Sequence, residues 1–262
     1  LYGGLTKSRA YIGDYVIVLG GQGRTNNSYS SPRINAFTIN KSLTYTPLND
    51  LLNNYRCGSG ITVGNYAIFG QADNGYGSYQ YWSNDVYAYN SSLTRSVITG
   101  FSELRANYNV ACINNKAVFA GGTYSSRDKL NRNSAEIYDS ALTHSFISNF
   151  LTNACYNLSS TFVGDYILFG GGHIPSSPWC TNCVDAYNAS LTKINNVSPL
   201  SEIKAGCYTA SIGNYALFAG GYNNTQYRRA AVETYDISLT KNIITSLTDR
   251  VGYESFTETT GV

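Results

Sequence analysis

Charge is scarce in this sequence. Lys and Arg total 18 and Asp and Glu 16 among 262 residues, for a formal net charge of +2. That excludes a nucleic-acid footprint, which needs clustered Lys and Arg to displace counterions from phosphates. No run of 18 apolar residues occurs, so no segment reads as a membrane-spanning helix and no membrane insertion is expected. Histidine occurs only twice, as His144 and His173, which leaves little imidazole for a metal centre. Methionine is missing altogether, and the chain opens at Leu1 without a basic-then-apolar leader. It therefore reads as a mature protein or as part of a longer chain or assembly.

What fills the chain instead is polar, uncharged and aromatic, with 24 Tyr and 25 Gly beside abundant Asn, Ser and Thr. Such a surface suits contact with sugars or proteins, and it equally suits any extracellular domain. The length fits a single all-β domain.

Internal repetition organises the sequence. Gly13–Gly21, Gly64–Gly70, Gly164–Gly171 and Gly213–Gly221 are one motif, and Asn114–Gly122 is a fifth copy without the first Gly and the Tyr. Their first positions, 13, 64, 114, 164 and 213, are 51, 50, 50 and 49 residues apart. A second motif follows each time, as Phe37–Thr44, Tyr89–Thr94, Tyr138–Thr143, Tyr187–Thr192 and Tyr235–Thr240. Two motifs at one period define the unit.

Each unit reads as four short strands, A to D. The Gly-Asn or Gly-Asp pair after strand A predicts a two-residue hairpin with φ > 0 at both positions. Strand B, as in Tyr15–Leu19, is apolar on consecutive residues, so both of its faces are expected to be buried. The Gly-Gly after it lets the backbone turn where a Cβ would clash. Strand C ends in Tyr followed by Asn or Asp, whose side chain can close an Asx-turn into strand D. The Leu of the following Ser-Leu-Thr is expected to pack under that turn.

The order of an apolar strand, Gly-Gly, a variable loop and a Tyr-Asn or Tyr-Asp turn resembles the kelch repeat, in which each copy is one blade of a β-propeller. The Gly-Asn-Tyr and Ser-Leu-Thr variants look like a bacterial or phage-encoded form. The kelch Trp of strand D is missing, and Phe146, Val97 and Ile244 stand in its apolar place. The resemblance implies an all-β, five-bladed propeller of four-stranded antiparallel blades, forming a single domain over 1–262. Blades fall near 5–50, 51–101, 102–150, 151–200 and 201–248. The segment 249–259 matches strand A again and is expected to close the ring by pairing with the first blade, replacing or flanking 5–10. The alternative is a six-bladed ring lacking one blade.

Antiparallel order puts the short, repeated A–B and C–D turns at one end of every blade. The variable B–C and D–A connections lie at the other end, which makes that end the functional candidate. The loops there offer Arg24 and Tyr29, then Tyr76, Tyr79, Tyr81 and Trp82, then Tyr124 and Arg127. His173 and Trp179 follow in the fourth repeat and Tyr222, Tyr227 and Arg228 in the fifth, with Arg105 on a D–A connection. Tyr, Trp and Arg give large contact area at low entropic cost, as in antibody paratopes. The structural alternative is that these aromatics pack the loops against one another.

Catalytic readings find less support. Some kelch-like propellers are copper oxidases, but His173 and His144 are expected at opposite ends of their blades and cannot share an ion. A glycosidase needs paired carboxylates, whereas Asp50, Asp73, Glu103, Asp128, Glu202 and Asp249 are scattered over the repeats. Glu136, Asp185 and Glu233 share one position in strand C and read as scaffold, bonding a neighbouring blade. No Ser-His-Asp or Cys-His set stands out. Cys57, Cys112, Cys155 and Cys207 fall along A strands as buried thiols. Cys180 and Cys183 form a C-x-x-C that admits a local disulfide, free thiols or a metal pair. The expectation is no enzyme, no cofactor and no metal. A carbohydrate or protein on a cell surface is the expected partner, for an extracellular, cell-surface or virion module. The alternatives are a scaffold binding an acidic peptide through Arg56, Arg105, Arg127 and Arg250, a structural spacer, and a propeller glycosidase.

Overall fold

The C–D turn shows how strictly each repeat follows its residues. Oδ1 of Asn40, Asn90, Asp139, Asn188 and Asp236 accepts amide hydrogens from the residues two and four positions on, at 2.8–3.0 Å in all five copies. This is the expected Asx-turn. The backbone bends so sharply inside it that Leu43, Leu93, Leu142, Leu191 and Leu239 take φ of 58–64°. Leu93 and Leu239 pack against buried clusters as expected, whereas Leu43 is 84% exposed.

The computed structural model describes residues 8–19, 36–48, 57–71, 83–124, 130–223 and 228–248. These build five four-stranded sheets, one per repeat, with strands in chain order. The first holds β1 (Ser8–Ile12), β2 (Tyr15–Leu19), β3 (Ala36–Asn40) and β4 (Tyr45–Leu48). The second holds β5 (Cys57–Val63), β6 (Tyr66–Gln71), β7 (Val86–Tyr89) and β8 (Arg95–Ile98). The third holds β9 (Asn109–Ile113), β10 (Lys116–Ala120), β11 (Ala135–Asp139) and β12 (His144–Ile147). The fourth holds β13 (Ser159–Val163), β14 (Tyr166–Gly170), β15 (Val184–Asn188) and β16 (Lys193–Ile194). The fifth holds β17 (Tyr208–Ile212), β18 (Tyr215–Ala219), β19 (Val232–Asp236) and β20 (Lys241–Ile244).

At the A–B turn the glycines Gly13, Gly64, Gly164 and Gly213 take φ of 51–54°, and the Asn or Asp after them does not share it. Positive φ at both positions occurs in the third copy, at Asn114 (45°) and Asn115 (55°). One Cβ-free residue absorbs the bend where it is present, and two asparagines divide it where it is not.

Strand B is buried on both faces in β6, β10 and β14 and less fully in β2 and β18. Strand D is the outer strand of each sheet. With a single hydrogen-bonded neighbour it buries little, so Val97, Phe146 and Ile244 lie 63%, 39% and 47% exposed rather than filling the place of a buried Trp.

The chain clusters into two compact units: Leu1–Ala106 with Asn115–Ala117 and Glu136–Ser145, and Asn107–Asn114 with Val118–Ala135 and Phe146–Val262. In the first, Ile12, Ile17, Phe69 and Tyr89 form one core, with Phe69 and Tyr89 edge to face. The Tyr11 amide donates to the Thr62 hydroxyl at 3.0 Å, tying strand A of one sheet to strand A of the next. In the second, hydroxyls do the same along β13. Ser160 donates to the Val110 carbonyl at 2.8 Å, Ser159 to Cys207 at 3.0 Å and Thr161 to Ala210 at 3.0 Å. The short turns meet as well: a Cβ on Gly64 would lie 2.7 Å from Ser140, and one on Gly164 3.4 Å from Ile237. Strand A of the first sheet is β1, paired along its whole length with β2. The segment 249–259, expected to close that blade, lies outside the described residues.

Candidate functional site

The end of the blades opposite the short turns is built on a repeated clamp. A carboxylate at the second position of strand C holds the D–A connection entering its own blade, not a neighbouring blade as the sequence suggested. Glu136 accepts from the Glu103 amide at 3.1 Å. Asp185 accepts from the Thr152 amide at 2.9 Å and its hydroxyl at 2.6 Å. Glu233 accepts from the Ser201 amide at 3.0 Å and its hydroxyl at 2.5 Å. A buried cation completes two of the clamps: Arg105 lies 2.9 Å from Glu136 and Lys204 2.5 Å from Glu233.

Arg105 is therefore not an exposed ligand-binding residue. It is fully buried, with its guanidinium 5.7 Å from the Phe101 ring centre. A guanidinium shut away from water needs a carboxylate partner, and Glu136 on β11 supplies it. His144 lies against the other Glu136 oxygen at 2.8 Å.

The second unit carries most of the described part of the variable loops. After strand B, the Gly-Gly pair turns the chain against the next connection: Gly122 donates to the Cys155 carbonyl at 2.8 Å and Gly172 to that of Lys204 at 2.9 Å. The residue after each pair, Thr123, His173 or Tyr222, then bridges to the returning arm of its own loop. His173 and Tyr222 also bridge to Tyr156 and Ala205 on the D–A connections.

These paths bring three rings together. Tyr156 stacks on His173 with centroids 5.0 Å apart and an interplanar angle of 27°. His173 also meets Tyr222 at 5.2 Å and 55°. The Asn157 amide donates to the Tyr222 hydroxyl at 3.0 Å, and the His173 Nδ1 lies 3.1 Å from the Trp179 carbonyl. A carbonyl only accepts, so this contact is a hydrogen bond in the tautomer with the hydrogen on Nδ1. Burial lowers the His173 pKa against the opposing pull of the Trp179 carbonyl, and burial raises that of the Tyr156 hydroxyl. At neutral pH the cluster is aromatic and uncharged.

Of the residues expected from sequence, His173 and Tyr222 belong to this cluster. Trp179 is 39% exposed on the same loop, and its backbone orients His173. Arg228 is exposed on the arm facing Tyr222. Tyr124 is half-buried with the Arg132 guanidinium 6.0 Å from its ring centre. Arg24, Tyr29, Tyr76, Tyr79, Tyr81, Trp82, Arg127 and Tyr227 lie outside the described residues. Sequence reasoning missed Tyr156, although a signal existed: the matching positions in the adjoining copies are Ala106 and Ala205.

No disulfide joins Cys180 to Cys183 in this structure, and the Cys180 Sγ lies 3.3 Å from His173 Nδ1. Cys155 and Cys207 sit on the connections just before β13 and β17, not within strand A. Among the described residues no group of three His, Cys, Asp or Glu is placed to hold a metal ion. Two of the scattered acids are engaged in ion pairs, Glu103 with Arg105 at 3.4 Å and Glu202 with Arg229 at 3.1 Å.

No family model matches this sequence, and no curated protein matches it. Solved structures do, 281 chains among them. One is the structure of YjhT, with a TM-score of 0.71 over 91% of this chain and 83% of that one. The fold is a five-bladed all-β propeller. At 12% identity the likeness to YjhT speaks to fold alone.

Proposed function

We propose that this protein is a non-enzymatic recognition module that binds a cell-surface glycan on the variable loops of its fourth and fifth blades. The observation that carries this reading is the Tyr156–His173–Tyr222 cluster, three rings in contact on those loops. The apolar face of a sugar ring stacks on such side chains, and neighbouring Asn and Arg groups pair with its hydroxyls. A neutral site suits a neutral ligand, and Trp179 adds an exposed indole on the same loop as His173. Scarce charge and abundant Asn, Ser and Tyr agree with work outside the cytoplasm, at a cell or virion surface, and the module needs no cofactor. The acidic-peptide reading is weakened because Arg105 is spent on Glu136.

A glycan array probed with the labelled protein tests this, with Trp179→Ala and Tyr222→Ala alongside. Saturable binding by the wild type, lost in variants that keep the wild-type melting temperature, is the expected result. Failure to bind any glycan would sink the carbohydrate reading and turn the search to a protein partner by pull-down from cell-surface extract.

A further inference from the structure

In the third and fifth blades the D–A connection is fastened to strand C by the buried pairs Arg105–Glu136 and Lys204–Glu233. The fourth blade keeps the acid, Asp185, but Cys155 stands where the other two have their cation. The shorter side chain leaves a small cavity, lined by Cys155, Cys183, Asp185, Asn153 and Thr181. Cys183 immediately precedes strand C and Asp185 is its second residue, and both line the cavity. At the position of Cys183 the other two blades have Ser134 and Ala231. Of these three blades, the one without a buried cation is the one with a cysteine on each side of the gap.

We propose that Cys155 and Cys183 are a disulfide-forming pair that clasps the D–A connection to strand C in the fourth blade, in place of the buried ion pair used by its neighbours; there Asp185 pairs only with the exposed Lys193, at 2.7 Å. Cys155 is buried and Cys183 half-buried, so Cys183 is the point of entry. Its thiolate attacks a small external disulfide of the glutathione class and releases one thiol. The Cys155 thiolate then attacks the Cys183 sulfur and releases the second. Two protons leave the protein, and its two electrons reduce the external disulfide. Burial holds both thiols above their ordinary pKa, reinforced by Asp185, so closure accelerates as pH rises.

Cys180 is the competing partner, but its Sγ sits against His173 Nδ1 at 3.3 Å and it does not line the cavity. The proposed bond would tie the connection bearing Tyr156 to the end of the loop bearing His173, stiffening the support of the ring cluster. It stands independently of the glycan reading, because its test reads the bond itself.

The test equilibrates the full chain with oxidised or reduced glutathione, alkylates remaining thiols in denaturant, and maps peptides by mass spectrometry. Oxidation is expected to lower the free-thiol count from six to four and to yield a peptide joining Cys155 to Cys183. That peptide persists in Cys180→Ser and is lost in Cys183→Ser. If Cys183→Ser fails to fold, the Cys180→Ser map still decides. A link between Cys180 and Cys183, or full alkylation of Cys155 and Cys183 after oxidation, would overturn the proposal.

Discussion

Arg105 Nη2 lies 2.9 Å from Glu136 Oε1, and solvent reaches neither side chain. Removing Arg105 leaves the buried Glu136 with only His144 and the Glu103 amide; breaking a buried pair costs about 3–5 kcal/mol, whereas replacing both partners by apolar residues is often neutral. Arg105→Met alone is expected to destabilise by that amount, and Arg105→Met with Glu136→Leu by far less. Urea denaturation of the two variants decides it. Equal losses in both would mean that packing, not charge, dominates the site.

Acid should weaken the fold partly through Glu233. Burial alone would raise its pKa, but the Lys204 ammonium and the Ser201 hydroxyl and amide outweigh that and hold it below the ordinary value. Below about pH 4.3 the unfolded chain takes up a proton that the folded carboxylate still refuses. The stabilisation is therefore complete above that pH and is lost as pH falls through the lower folded value. In melting curves at pH 7 and pH 3, the gap between wild type and Glu233→Gln is expected to narrow at the acid end. A gap unchanged by pH would show that this carboxylate does not contribute.

Two glycines separate backbone strain from close contact. Gly171 has φ of 68°, and a Cβ there would meet the Lys204 carbonyl at 2.4 Å. Gly213 has φ of 53° and nothing within 4 Å of the same point. Gly213→Ala should cost only the left-handed penalty of about 1–2 kcal/mol. Gly171→Ala adds the displacement of a connection and should cost clearly more by chemical denaturation. Similar losses would refute the contact argument.

The C–D turns offer a stabilising change. Leu43 takes φ of 58° while 84% exposed, so Leu43→Gly relieves strain and loses little packing. A gain of up to about 1 kcal/mol is expected, the left-handed penalty being partly offset by the entropy of glycine. Leu93→Gly, at φ of 61° but packed on the first unit's core, should destabilise instead. A pair of thermal melts separates them.

Most of the fold was legible because the repeat is nearly unvaried at its turns. Five copies of Tyr-Asn or its equivalents marked five Asx-turns, and all five formed. The kelch-like position of strand D misled, since an apolar residue at a sheet's edge can stay exposed, as Val97 does. The site was legible in part. His173 and Tyr222 stood out as ring-bearing residues after Gly-Gly, while Tyr156 hid on a D–A connection. Arg105 read as a surface cation because its partner, 31 residues away, carries no local mark.

Sequence by itself determined the features set by neighbours a few residues apart: the blade count, the strand order, the hairpins and the end of each blade that varies. Turn chemistry and strand periodicity act over that range, so the linear pattern holds them. Only the tertiary structure decided that Arg105 is sealed against Glu136, that Cys155 faces the cavity beside Cys183, and that His173 meets both Tyr156 and Tyr222. Those outcomes depend on how separate connections cross in space. Close packing then forces every buried charge and ring to find its partner from another segment of the chain.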